Sequence, residues 1–212
     1  MKQRFFLGLI SLTAFLSSWE LAANAGELAP TTQQTWTLRA LISELEENHF
    51  ADKRYNDAMS ASHLETYLER LDPSRVYFTQ SDIAGFMRYE DRLDDLGRQG
   101  ELSPLYEIFN LYAKLATERL DTIIGDMDPM VSGFDFEREE FIEADPRDRA
   151  WAASRDELDE RWRKRIKNQV LGLRLAEKED AEIAPTLVKR YENQKMRLEQ
   201  YNEQDVFAVY AN

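Results

Sequence analysis

The sequence predicts an all-α fold: a single multi-helix domain with one long irregular segment at about residues 126–153. Three observations carry this. Apolar residues recur at i, i+3, i+4 and i+7 through most of the chain, the spacing that lines one face of a helix. The alternating runs that half-buried strands need are nearly absent. Helix starts are explicit at Ser103-Pro104 and at Ser154-Arg155-Asp156-Glu157, where a serine precedes a proline or stands three residues before a glutamate.

The chain opens with Lys2 and Arg4, then an apolar run from Phe5 to about Ser18, then Ala23-Asn24-Ala25. The small-x-small pattern of Ala23 and Ala25 is what a signal peptidase reads, so residues 1–25 are expected to be a signal peptide cut after Ala25, leaving 26–212 as the domain. A bilayer span takes about 20 apolar residues, and this run is shorter and interrupted by Ser11 and Thr13; no stable membrane span is expected.

The first helix is expected over roughly 32–49, with Leu38, Leu41, Ile42 and Leu45 at helical spacing. A second, about 61–71, carries Leu64, Tyr67, Leu68 and Leu71 and ends at Asp72-Pro73, because the residue before a proline is pushed out of the α region. Val76-Tyr77-Phe78 reads as a short extended link. Ser81 is the expected N-cap of a third helix bearing Ile83, Phe86, Leu93 and Leu96 and stopping at the loop Gly97 to Gly100. The fourth starts at Ser103-Pro104 and places Leu105, Ile108, Phe109, Tyr112, Leu115 and Leu120 on one stripe up to Gly125.

Residues 126–153 hold Asp128-Pro129, Gly133 and Asp145-Pro146 among many acids and read as a surface excursion anchored by Phe134-Asp135-Phe136. The capping box at Ser154 opens a helix with Leu158, Trp162, Ile166, Val170 and Leu173 inward. Another runs to about Tyr201 with Leu187, Val188, Tyr191 and Leu198 inward, and Pro185 should restart or kink it. Asp205 is the expected N-cap of a last helix, Val206 to Asn212. Its apolar Val206, Phe207, Val209 and Tyr210 are the candidate partner-facing residues of a helix that reads as cut short.

Composition narrows the chemistry. Losing Lys2, Arg4 and Glu20 with the leader takes the 27 basic and 40 acidic residues to 25 and 39, an acidic chain repelled by phosphate backbones and anionic lipid. No nucleic-acid partner is expected. There is no cysteine, so packing alone must stabilise the fold. The two histidines, His49 and His63, sit in no metal-ligand spacing, and no nucleophile elbow, phosphate loop or dinucleotide fingerprint occurs. No catalytic, cofactor or metal residues are therefore assigned. Acid pairs such as Asp94/Asp95 and Glu139/Glu140 are unremarkable in so acidic a chain. The basic run Arg161, Arg163, Lys164, Arg165, Lys167 reads as a helix face paired with Asp156, Asp159 and Glu160.

Several segments together resemble the N-terminal domain of the tail-specific, or carboxy-terminal processing, peptidases. They are Tyr67-Leu68-Glu69-Arg70-Leu71-Asp72-Pro73-Ser74-Arg75-Val76-Tyr77-Phe78 with Ser81-Asp82-Ile83, Ile108-Phe109-Asn110, Phe134-Asp135-Phe136, Glu157 to Asn168, Arg190-Tyr191-Glu192-Asn193 and Asp205-Val206-Phe207. They lie in one order over nearly all of residues 35–212. The resemblance implies a periplasmic serine endopeptidase in which a helical domain precedes a PDZ domain that binds substrate C-termini and a catalytic domain with a Ser–Lys dyad. No dyad residue can be carried over to this chain, and Pro185 departs from the family's usual helix former. The implied partners are PDZ and protease domains, in cis or in trans, with unfolded protein substrates or an adaptor protein. The other reading is a stand-alone periplasmic helical binding module.

Overall fold

One helix organises the molecule. In the computed structural model, which describes residues 26–48, 54–143, 145 and 149–211, α5 runs unbroken from Ser103 to Gly133. At 1.5 Å per residue that is a rod of about 45 Å. Its N-terminal half belongs to one hydrophobic core and its C-terminal half to another.

The first core gathers α1 (Thr32–Asn48), α2 (Asp57–Leu71), α3 (Gln80–Phe86), α4 (Leu93–Gln99) and α8 (Glu203–Ala211) around Leu105, Ile108 and Phe109 of α5. The second packs α6 (Arg155–Leu175) and α7 (Asp180–Glu199) on Leu120, Ile123, Met127 and Val131. Tyr112 lies between them and touches both. Among the described residues there is no strand; one isolated parallel bridge joins Thr79 to Ala152. The all-α expectation holds.

Several element boundaries differ from the sequence reading, each for a local reason. The helix expected to stop at Gly125 continues through Pro129 to Gly133, so the first eight residues of the supposed irregular segment are helical. Ile123, Met127 and Val131 repeat at i, i+4 and i+8 into the second core, and their burial outweighs the hydrogen bond that Pro129 cannot make. The irregular stretch begins at Phe134, where Phe134 and Phe136 pack against that core.

The third helix is two. Thr79, not Ser81, caps α3, in a box where its hydroxyl accepts from the Asp82 N–H and its own N–H donates to the Asp82 carboxylate. A 3-10 turn, Met87–Tyr89, separates α3 from α4. This turn lets α4 lie directly against α1: a Cβ on Gly97 would sit 2.5 Å from Ile42 Cδ1. Gly97 is thus inside α4, and Gly100 ends it at φ 75, a left-handed position that suits glycine.

At Ser154 the hydroxyl accepts from the Glu157 N–H as expected, but the Glu157 carboxylate takes the N–H of Ala153, one residue earlier than a standard box. Asn202, not Asp205, caps α8: its Oδ1 accepts from Gln204 and Asp205, and the Asp205 carboxylate returns the favour to the Asn202 N–H. Finally, α7 passes through Pro185 as one helix.

Candidate functional site

The chemistry of the molecule is concentrated where the α2–α3 loop, Asp72 to Thr79, meets α6. Pro73 stops α2, and the freed Asp72 turns its carboxylate back on the chain that follows. Oδ1 accepts from the Val76 N–H at 2.9 Å, and Oδ2 from those of Tyr77 and Phe78 at 2.8 and 3.1 Å. Asp72 has no exposed surface. Burial pushes its carboxyl above the ordinary range, while the three N–H donors and the Arg149 charge pull it down.

This carboxylate sets the direction of three large side chains. Val76 and Tyr77 enter the second core and Phe78 the first, so the loop joins the two. Arg75 occupies the left-handed region at φ 47, which costs a non-glycine residue about 1 kcal/mol. Its guanidinium offsets that by donating to the Arg149 carbonyl, pairing with Glu69 at 3.2 Å and lying over the Trp151 ring at 4.9 Å.

From the other side, α6 grips the loop backbone. Trp162 Nε1 donates to the Val76 carbonyl at 2.9 Å, Arg161 to those of Arg75 and Ala150 at 2.6 and 2.9 Å, and Arg155 to that of Tyr77 at 3.0 Å while pairing with Asp82. The Gln80 N–H and side chain reach the Ala152 and Trp151 carbonyls at 2.8 and 3.0 Å. Burial raises the Tyr77 hydroxyl to about 12, and Gln194 donates to it at 2.9 Å.

The basic run is consumed in this way and by neighbouring acids. Arg161 pairs with Glu157, Arg163 with Glu160 and Glu140, Lys164 with Glu160, and Lys167 with Glu140. Asp159 pairs instead with Arg119 of α5. Glu140, unremarkable in the sequence as one of a pair of acids, ties the irregular segment to α6.

The candidate partner-facing residues lie in the chain's own first core. Val206, Phe207 and Tyr210 are buried there and Val209 is half-buried against it. Ala23 and Ala25, like His49, lie outside the described residues. Ser60, the one serine among the described residues that is wholly buried beside a carboxylate, donates to Asp94 at 3.1 Å and accepts the Asp94 N–H at 2.9 Å, which ties α2 to α4. Among the described residues no cluster of His, Cys, Asp or Glu is placed to hold a metal, and every buried side-chain N or O has a partner.

No helix among the described residues is long and apolar enough to cross a membrane. What the fold and this junction define is a helical domain with two cores clamped through one loop. A family model described as the tail specific protease N-terminal domain matches residues 41–212. The Tail-specific protease of Haemophilus influenzae is 30% identical over 182 residues, which cover 84% of this chain and 25% of that protein. The chain belongs to the tail-specific protease N-terminal domain family, and it spans about a quarter of the length of this relative.

Proposed function

We propose that this chain acts as the noncatalytic N-terminal helical domain of a periplasmic carboxy-terminal processing serine peptidase, framing a PDZ–protease core and helping to admit unfolded substrate. The observation that carries the reading is the match to that domain over residues 41–212. The clamped two-core build suits a frame, because the polar groups of the junction are engaged in holding helices. The PDZ and protease domains act in cis or in trans, and export with cleavage after Ala25 delivers the domain to the periplasm.

The test pairs the chain with a separately produced PDZ–protease portion of a tail-specific protease. The chain alone should cleave no unfolded protein with an apolar C-terminus. It should bind the PDZ–protease portion and raise its cleavage rate. In periplasmic extracts, mass spectrometry should find Gly26 at the N-terminus. Serine-inhibitor-sensitive cleavage by the pure chain would overturn the noncatalytic assignment.

A second reading, a stand-alone helical binding module, is favoured by one observation: Val206, Phe207 and Tyr210 are satisfied inside the chain's own core. Absence of any binding to the PDZ–protease portion would make it the better reading.

A further inference from the structure

Ahead of α1, residues 26–31 lie on α5 as a strap, and one side chain holds it. Asn110 Oδ1 accepts from the Leu28 N–H at 3.1 Å, and Asn110 Nδ2 donates to the Leu28 carbonyl at 2.9 Å. The N–H and C=O of a single residue point to the same side where the chain is extended. Asn110 therefore grips the main chain of an extended segment, whatever side chains that segment carries.

The hold is small. Two neutral hydrogen bonds and one half-buried leucine contribute little net stability, and Gly26, Glu27, Ala29 and Pro30 are exposed. Helix α1 does not depend on them. The Thr31 N–H donates to Gln34 Oε1 at 2.9 Å and the Gln34 N–H to Thr31 Oγ1 at 3.3 Å, so the helix start is closed by a buried glutamine of its own. The strap can lift with the fold intact.

It also covers only part of its seat. A groove of about 820 Å³ follows α5 from Glu107 past Asn110 to Glu118, bordered by the strap and by Leu198 and Tyr201. Over that span the helix advances about 16 Å, the length of about five extended residues. Leu111 and Leu198 are half-buried, and the exposed Tyr201 ring rests on Phe109 with centroids 5.3 Å apart. A segment that takes Asn110 gains this apolar floor as well, which lets it compete with a tethered occupant. The charged rim is acidic, with Glu27, Glu118 and Glu199 against Lys114, and it repels a terminal carboxylate.

We propose that the strap is a stand-in, and that the Asn110 groove docks an internal, extended, apolar segment of an unfolded polypeptide, which takes the place of Leu28. This deepens the substrate-admitting role proposed above and rests on it for the source of the ligand.

The test titrates the isotope-labelled full chain by NMR with the capped peptide acetyl-Gly-Lys-Leu-Ala-Leu-Thr-amide. Controls are the same peptide with both leucines replaced by serine, and one with a free C-terminal carboxylate. The leucine peptide should shift the Leu28 amide and the Asn110 side-chain amide and lower the hydrogen-exchange protection of Leu28. Both controls should bind more weakly. Asn110→Ala should weaken binding about tenfold, through the loss of two hydrogen bonds. Leu28→Ser should strengthen it by up to about tenfold, because it loosens the tethered competitor and leaves the floor untouched. A merely structural strap gives no such opposite signs.

The proposal is overturned if Leu28→Ser weakens binding or leaves it unchanged, or if the shifts in the wild type bypass Leu28 and Asn110; neither outcome needs a folded Asn110 variant. It is overturned too if the serine peptide binds as well as the leucine peptide, or if the free carboxylate binds more tightly. A dimer that disappears in Leu28→Ser, with no peptide binding, would mean that copies of this chain exchange straps instead. No PDZ–protease portion enters these measurements, so their failure leaves the framing role standing, and a failure to frame leaves them standing.

Discussion

Trp162 of α6 donates its indole N–H to the Val76 carbonyl in the α2–α3 loop at 2.9 Å, and with the bonds from Arg161 and Arg155 it fixes the second core to the loop shared with the first. The ring is 1% exposed, packs on Tyr77 and Tyr191, and carries Arg165 on its face at 5.1 Å. Trp162→Phe keeps an aromatic ring but deletes the donor and leaves a gap. It should cost about 2 kcal/mol, from one unmet buried carbonyl and a small cavity. For a chain of this size that lowers the thermal midpoint by roughly 4–8 °C, readable by circular dichroism. A loss of a few tenths of a kcal/mol would show that the bond does not hold the junction.

Asp72→Asn separates the charge of the junction from its shape. The amide keeps one acceptor oxygen but turns an NH2 toward backbone N–H groups that Asp72 now satisfies with two oxygens. Donor facing donor in a site without exposed surface should cost about 3 kcal/mol. Urea unfolding should show a lower midpoint at unchanged slope. A variant within about 0.5 kcal/mol of wild type would mean that Pro73 and core packing alone shape the loop.

What the sequence showed of this region, and what it hid, follows from the range of the interactions. Helical periodicity is local, so Leu64, Tyr67, Leu68 and Leu71 were placed correctly, as were Leu158, Trp162, Ile166 and Val170. Asp72-Pro73 was legible as a stop. That the Asp72 carboxylate then organises the next six residues was not, because one Asx-type turn looks like another until the chain around it is buried. The extension of α5 past Gly125 was hidden by Pro129, whose local signal is overridden by a core built from α6 and α7. The apolar face of Val206, Phe207 and Tyr210 was legible, but its destination was not. Helix α8 meets α1, α2 and α5, all 70 or more residues away in sequence. The family resemblance carried what pattern reading could not.

Glu140 gives the irregular segment its anchor. Hydrogen bonds from Arg163 and Lys167 hold its carboxyl down to about 2, against 4.5 ordinarily. A depressed carboxyl contributes stability above its unfolded value and loses it as pH falls toward the folded one. At pH 7, Glu140→Gln should therefore speed backbone hydrogen exchange over residues 136–141 and increase proteolytic nicking there. The difference from wild type should shrink as pH falls from about 4.5 to about 2. A difference that stays constant across that window would show that shape rather than charge secures Glu140.

Pro185 is the place where the sequence and the helix disagree most openly. It is the sixth residue of α7, so its ring nitrogen stands where an amide would bond the Ala181 carbonyl. The helix continues because Ile183, Ala184 and Leu187 on either side are buried in the second core, while Pro185 itself is exposed. Thr186 bonds its hydroxyl to the Glu182 carbonyl at 2.6 Å and stabilises the same turn. Pro185→Ala restores the missing amide and relieves the ring's crowding of that carbonyl. Proline in a helix interior costs about 3 kcal/mol relative to alanine, less near the first turn. Against this stands about 0.4–1 kcal/mol of extra freedom gained by the unfolded chain. The balance is a variant more stable by about 1–2 kcal/mol, with a thermal midpoint higher by a few degrees. A variant less stable than wild type would mean that the unfolded-chain term outweighs the restored bond, and that α7 is already shaped around its proline.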